Sequence, residues 1–321
     1  MTANVLAIQP ECQPLPEVTE RHVSFRVGAD QIQAILTLPT GTAPRHGVIF
    51  THGWSGNRCG PAAIITTLAR RLAQNNCASL RFDFRGRGES AGNGLESTLT
   101  TMADDLVEAS RQFAALSGIR KPVYTGLCSG GNVAIGALNR LPDAKAIVML
   151  SVYPFSDGDA FGRDARRTLH FLKVYWLKAT RPETWKRLWR GDVNLKQVAQ
   201  VILNPLLRRK AGKQREGQQD AAKPATPQVA RATQSESRLQ PGQEPPRKFL
   251  ANLRPGLPGL FIYGTGDPDA KAAIDYYGTY ITEHSLPIRI EYINGANHNF
   301  SSQFWFNQVA DLTLAFLDQL P

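Results

Sequence analysis

The sequence lacks any apolar run that approaches the roughly 20 residues of a membrane-spanning helix. The residues after Met1 also lack the basic and then apolar segments of a signal peptide. Cysteines are few, and Cys12, Cys59, Cys77 and Cys128 form no CxxC pair and no metal-ligand spacing. We therefore predict a cytoplasmic protein with reduced thiols, with no bound metal and no other cofactor.

Basic residues exceed acidic ones by +10, but this excess belongs to one segment. Residues 163–215 carry fifteen basic and three acidic side chains, a net charge of +12, which leaves −2 for the rest. No groove-reading motif accompanies this charge, so nucleic-acid binding is not expected. A confined basic surface instead favours a local anionic partner.

The hydrophobic pattern predicts an α/β fold. Residues 22–27 and 32–38 alternate apolar and polar side chains around a glycine-containing turn, which indicates a hairpin. Short apolar runs that alternate with segments of helical spacing follow at residues 48–51, 79–83, 123–125 and 146–151, and the pattern resumes at 260–264 and 288–293 before a helix at 304–320. Strand–helix–strand repetition predicts an eight-stranded, mostly parallel sheet with helices on both faces.

Four regions follow from this pattern. Residues 1–21 form a loose leader, and residues 22–155 and 250–321 form the α/β core. Residues 156–210 are predicted to be a basic helical cap inserted after the sixth strand. Residues 211–249 are rich in Gln, Pro, Ala and charge, and aromatic residues are absent up to position 248, so we predict a flexible low-complexity insertion.

Cys128 lies in the segment Gly126-Leu127-Cys128-Ser129-Gly130, between a predicted strand and a predicted helix. A nucleophile on such a sharp turn needs small neighbours two positions away on either side, a requirement that Gly126 and Gly130 meet. Centring the turn on Ser129 would place Leu127 at one of these positions. A helix N-terminus also favours the reactive thiolate. The alternative is a buried structural cysteine.

Two further segments supply the predicted partners of the thiol. Asp267 and His298 each follow their own predicted strand, and the ends of parallel strands converge at one edge of a sheet. His298 would then act as the base and Asp267 would orient its ring. Asp269 and Asp157 are weaker candidates for the acid.

The segment Thr51-His52-Gly53-Trp54 follows the first parallel strand. A turn at this place directs a backbone N–H towards the nucleophile, so we predict an oxyanion hole made by the backbone amides of Trp54 and Ser129. His52 is interpreted as a structural residue of this turn.

These segments, together with Asp83-Phe84-Arg85-Gly86-Arg87-Gly88, resemble the α/β-hydrolase superfamily in type and order over about residues 22–155 and 250–321. The turn around Cys128 is similar to that of the dienelactone-hydrolase branch, which uses a Cys-His-Asp triad. The remaining motifs, together with the cap segment at residues 184–195, look more like those of hydrolases associated with the exosortase protein-sorting system. Most superfamily members have serine at the nucleophile position.

The residues and the resemblance together predict a hydrolase that cleaves an ester or thioester of a small-molecule acyl substrate through an acyl-cysteine. Acyl transfer by the same triad and a non-catalytic acyl-ligand-binding protein are the alternatives. The basic cap has an acidic carrier protein, a coenzyme A thioester and an anionic membrane surface as candidate partners.

Overall fold

The computed structural model describes residues 18–94, 97–154 and 249–321. The predicted cap at 156–210 lies outside the described residues, as do nearly all of the insertion at 211–249 and most of the leader at 1–21. None of the helices in the described ranges combines the length and the apolar character that a membrane span requires.

Within these ranges the chain forms an eight-stranded sheet with helices on both faces, as predicted. The strands are β1 (Val18–Val27), β2 (Asp30–Pro39), β3 (His46–Thr51), β4 (Cys77–Phe82), β5 (Val123–Leu127), β6 (Ala146–Leu150), β7 (Gly259–Gly264) and β8 (Ile288–Ile293). The helices are α1 (Ile64–Gln74), α2 (Leu99–Ser117), α3 (Ser129–Ala137), α4 (Ala270–Glu283) and α5 (Gln303–Asp318).

The strand order is β1-β2-β4-β3-β5-β6-β7-β8. Pairing is antiparallel in β1–β2 and β2–β4 and parallel from β4 onwards. The order reverses around β3, since β4 lies on one side of it and β5 on the other. Ligands of open α/β sheets bind beyond the carboxyl ends of the strands at such a reversal.

Strands β3 to β7 are buried along their whole length, which explains their continuous apolar runs. Leu68 of α1 and Val309 of α5 belong to the core on one face of the sheet. Leu106 of α2, Val133 of α3 and Tyr277 of α4 belong to the core on the other face. The sheet is therefore held between two apolar layers, and its strand ends are fixed in position.

Two elements differ from the prediction. β1 begins at Val18, within the predicted leader, where Glu20 accepts hydrogen bonds from Arg70 and Arg81. These contacts stabilise a polar strand end that apolar alternation alone does not reveal. Helix α4 was not predicted, because alanines occupy much of its buried face.

Candidate active site

Cys128 lies between β5 and α3, at the carboxyl edge of the sheet. Its backbone has φ 55° and ψ −128°, a strained combination for any residue other than glycine. The Cys128 N–H donates to Leu150 O of β6 at 2.9 Å, which fixes the turn to the neighbouring strand. The side chain is partly buried, whereas that of Cys77 is fully buried. The strained position in this turn is therefore occupied by the thiol.

The two predicted glycines permit this turn because backbone packs against each of them. A Cβ atom at Gly126 would lie 2.4 Å from Gly131 Cα. One at Gly130 would lie 2.4 Å from Thr51 O, at the end of β3. A side chain at either position would therefore displace backbone atoms.

His298 and Asp267 form a hydrogen-bonded pair beyond β8 and β7. The distance from His298 Nδ1 to Asp267 Oδ2 is 2.7 Å, and the Asp267 side chain is only 2% exposed. His298 Nε2 is buried and has no hydrogen-bond partner of regular geometry among the described residues. The ring is therefore oriented through Nδ1, which leaves Nε2 for the interaction with Cys128.

The imidazole of His298 and the thiol of Cys128 interact. Burial opposes the imidazolium, but contacts with Asp267 and Cys128 outweigh it and raise the pKa of His298 to about 10. Burial also opposes the thiolate, but His298 and Ser129 outweigh it and lower the pKa of Cys128 below its ordinary value. The site therefore favours a thiolate–imidazolium pair over a neutral thiol and imidazole.

The predicted oxyanion turn lies against the nucleophile. A Cβ atom at Gly53 would be 3.5 Å from Cys128 Cβ, so the segment after β3 touches the turn after β5. The Trp54 N–H, predicted to hold an oxyanion, donates to Ser129 Oγ at 2.7 Å. The backbone N–H of Ser129 interacts with the Cys128 side chain. Both predicted amides are thus beside the thiol, and the Trp54 amide has a partner that the sequence did not indicate.

His52 joins the oxyanion turn to the segment after β4. Its Nε2 accepts a hydrogen bond from the Phe84 N–H at 3.3 Å, so Nδ1 carries the proton and donates to Gly53 O at 2.8 Å. Burial lowers the pKa of His52 and keeps the ring neutral. Gly53 O belongs to the peptide unit that carries the Trp54 N–H, so these contacts agree with the predicted structural role.

Asp83, which follows β4, stabilises the segment after β3 that contains the predicted oxyanion turn. It is fully buried and accepts hydrogen bonds from the backbone N–H groups of Arg58 at 2.6 Å and Glu89 at 3.0 Å. It also forms an ion pair with the Arg58 guanidinium. The segments after β3 and β4 are therefore tied together by a buried carboxylate.

Asp269, a weaker candidate for the acid, lies beside Asp267 at the start of α4. Among the described residues, Asp267, Asp269 and His298 form a group whose potential metal-ligand atoms lie within 4.8 Å of one another. His298 Nδ1 is hydrogen-bonded to Asp267, and the Asp269 backbone N–H donates to Asp267 Oδ1 at 3.0 Å. These bonds are typical of a base with its orienting acid. Asp157, the other candidate, lies outside the described residues.

The sequence did not predict a buried hydrogen-bond network that lies behind the Cys128 turn. Asn132 of α3 donates to Tyr153 O at 2.6 Å and accepts from the Tyr277 hydroxyl at 2.6 Å. The Tyr263 hydroxyl donates to Val152 O at 3.0 Å. These bonds hold the segment that leaves β6, which is where the predicted cap begins. Its members are spread along the sequence, so no local signal marks the network.

Solved structures with this fold include several named as hydrolases. Dienelactone hydrolase from Anabaena variabilis is 17% identical over 95% of this chain and 99% of its own, with a TM-score of 0.56. Est1E from Butyrivibrio proteoclasticus, solved with ferulic acid, is 17% identical over 93% and 98%, with a TM-score of 0.57. A thermostable carboxyl esterase from Bacillus coagulans, solved with glycerol, is 11% identical over 94% and 98%, with a TM-score of 0.60.

The comparison with curated proteins gave no significant match. The family model described as "Alpha/beta hydrolase family" matches residues 48–312, which include the turn after β3, Cys128, Asp267 and His298. The matched region is most of the chain, and the observed strand order, with its reversal at β3, agrees with it. The chain therefore belongs to the α/β hydrolase family.

Proposed function

We propose that this protein is a hydrolase that cleaves an ester or thioester bond through an acyl-cysteine on Cys128. The observation that carries the proposal is the Cys128 thiol at a strained helix N-terminus beside the His298 imidazole. Asp267 orients this imidazole through a hydrogen bond of 2.7 Å between Oδ2 and His298 Nδ1. A thiolate held in this way is a nucleophile at neutral pH. The hydrolase and esterase names of proteins with the same fold support the reaction class.

In the proposed first half-reaction, the Cys128 sulfur attacks the acyl carbonyl carbon, and the carbonyl electron pair moves onto oxygen. The Ser129 and Trp54 amides stabilise this oxyanion, for which the Trp54 N–H exchanges Ser129 Oγ for the substrate oxygen. As the tetrahedral intermediate collapses, the bond to the leaving group breaks. His298 donates its proton to an alkoxide, whereas a thiolate departs without it. The acyl group remains on sulfur.

By then the His298 imidazolium has given its proton to the alkoxide or, where a thiolate departed, releases it to solvent, because acylation removes the negative charge that held it. Neutral His298 then removes a proton from water as the water oxygen attacks the acyl carbon in the second half-reaction. The carbon–sulfur bond then breaks and restores the Cys128 thiolate, and Asp267 keeps the ring oriented throughout. Thioesters, activated esters and lactones suit this chemistry better than amides, because their leaving groups depart more readily.

The experiment is a screen of acyl-thioester, aryl-ester and lactone substrates against the wild type, Cys128→Ala and Cys59→Ala. Cys59 is the matched control, because it is also a free cysteine but is exposed and is not part of the predicted triad. We expect turnover in the wild type and Cys59→Ala and its loss in Cys128→Ala. Turnover that persists in Cys128→Ala would overturn the proposal.

Product analysis in the same screen separates the alternatives. Release of free acid supports hydrolysis, whereas appearance of the acyl group on an added alcohol or thiol indicates acyl transfer. A bound acyl ligand without any product indicates a binding protein.

Partners beyond the acyl substrate stay predictions. The basic residues at 163–215 lie outside the described residues, as does the cap segment at 184–195, which carries part of the resemblance to exosortase-associated hydrolases. An acidic carrier protein or the phosphates of a coenzyme A thioester would complement that charge while presenting a thioester. An anionic membrane surface is the other candidate.

A further inference from the structure

The side chain of Ser129 lies between two predicted parts of the catalytic machinery. Ser129 is the first residue of α3, follows Cys128 directly and is only 5% exposed. Its Oγ accepts a hydrogen bond of 2.7 Å from the Trp54 N–H. In the reaction proposed above, only the backbone N–H of this residue has a role, so the hydroxyl is unexplained.

Close packing of two backbone segments encloses this hydroxyl. A Cβ atom at Gly53 would lie 3.5 Å from Cys128 Cβ and 3.7 Å from Ser129 Oγ, and one at Gly130 would lie 2.5 Å from His52 O. The hydroxyl therefore occupies the narrow space between the oxyanion turn and the nucleophile.

A serine hydroxyl that accepts a hydrogen bond still has one proton to donate. The side chain and the backbone N–H of Ser129 both contribute to the lowered pKa of Cys128, so both favour its thiolate form. Accepting a bond from an amide polarises a hydroxyl and strengthens it as a donor. The Ser129 hydroxyl thus lies between a donor, the Trp54 N–H, and an acceptor on the adjacent residue, the Cys128 thiolate.

We propose that Ser129 is a positioning residue whose hydroxyl couples the oxyanion amide of Trp54 to the Cys128 thiolate. The inference rests on the proposed function, because it gives the resting enzyme a thiolate that its own oxyanion amide supports. When a substrate carbonyl oxygen takes the Trp54 N–H, Ser129 Oγ loses the bond that polarised it. Its bond to sulfur weakens, so the thiolate becomes more nucleophilic when a carbonyl group is in place.

The test measures the alkylation of Cys128 by iodoacetamide over pH in Ser129→Ala, Ser129→Gly and Ser129→Thr. All variants carry Cys12→Ser and Cys59→Ser, so that the buried Cys77 is the other remaining thiol. Burial raises the pKa of Cys77 to about 11, which keeps it unreactive over most of the range. Ser129→Thr retains the hydroxyl and is the matched control.

We expect the ratio of the alkylation rate at about pH 6 to that at about pH 10 to fall about tenfold in Ser129→Ala and Ser129→Gly, because the thiolate loses a hydrogen-bond donor. Ser129→Thr should keep the wild-type ratio. The proposal is overturned if the alanine and glycine variants both keep that ratio, or if the threonine variant loses as much as they do. Thermal melting identifies any variant that does not fold, and glycine tests the same loss where alanine fails.

Alkylation needs no acyl substrate, so the two proposals fail in distinguishable ways. A wild type that alkylates with the expected profile but turns over no ester or thioester contradicts the proposed function and leaves the coupling in place. If turnover is lost in Cys128→Ala but the pH profile of alkylation is the same in the Ser129 variants as in the wild type, only the coupling is contradicted.

Discussion

Asp267→Asn should weaken the thiolate–imidazolium pair by removing the charge that orients and stabilises His298. The rise in the pKa of His298 from 6.5 to about 10 corresponds to roughly 5 kcal/mol in favour of the imidazolium. Asp267 supplies the largest of the contacts that produce this preference, and we expect its loss to lower the population of the pair on the order of a hundredfold, which corresponds to about 2.7 kcal/mol. The His298 side chain is 19% exposed, so solvent screens only part of this interaction.

The assay is again alkylation of Cys128 over pH, together with acyl turnover. We expect the alkylation rate of Asp267→Asn near pH 6 to fall on the order of a hundredfold relative to the rate near pH 10, where the thiol ionises without help from the imidazolium. Acyl turnover should fall by a similar factor. With alkyl esters, where His298 must protonate an alkoxide, wild-type turnover should decline only as the pH rises through the pKa of about 10. In Asp267→Asn this decline should begin at a lower pH.

Asp269→Asn is the matched control, since it removes the same charge two residues away and leaves the bond between His298 and Asp267 in place. We expect a smaller effect from it than from Asp267→Asn. An unchanged profile in Asp267→Asn would refute the reasoning. A larger effect in Asp269→Asn would assign the role of the acid to Asp269.

Two further predictions concern the turn and the charge of the site. Gly126→Ala should lower the free energy of unfolding by about 3 kcal/mol or more, because its Cβ would lie 2.4 Å from Gly131 Cα. The control is Gly278→Ala on helix α4, whose Cβ would meet only an ordinary contact and which should be neutral or stabilising by about 1 kcal/mol. Urea unfolding measures both variants, and equal effects would contradict the packing argument. Alkylation of Cys128 removes its negative charge, so the pKa of His298 should fall below about 10, which an NMR titration of the ring would detect and an unchanged value would contradict.

The parts of the molecule that could be predicted from the sequence depend on local signals. The glycines around Cys128 mark the turn because backbone sterics act within a few residues. His298 and Asp267 are distant in sequence, but each follows its own strand, and parallel pairing brings both strand ends to one edge. The fold therefore follows from the hydrophobic pattern, and the proximity of His298 to Asp267 follows from the sheet topology.

The parts that could not be predicted depend on register between distant segments. The bond from the Trp54 N–H to Ser129 Oγ joins residues 75 positions apart, and that from the Tyr277 hydroxyl to Asn132 joins residues 145 positions apart. Each needs two backbones placed to within a fraction of the length of a hydrogen bond, which no periodicity encodes. The sequence identified Ser129 for its backbone amide, and its side chain could be interpreted only with the turn after β3 in place.

In the proposed reaction, the charge of the site would change in a way that suits both half-reactions. In the resting state the thiolate helps to hold the proton on His298, whose pKa is about 10, so the imidazolium can protonate an alkoxide as it leaves. Acylation converts the thiolate into a neutral thioester and removes that contribution, while Asp267 still holds the ring. Once its proton has gone to an alkoxide leaving group, or to solvent after a thiolate has departed, His298 is a neutral imidazole with a lower pKa, which is the form that activates water. The nucleophile therefore sets the protonation of its own base, which a neutral serine hydroxyl at the same position would not do.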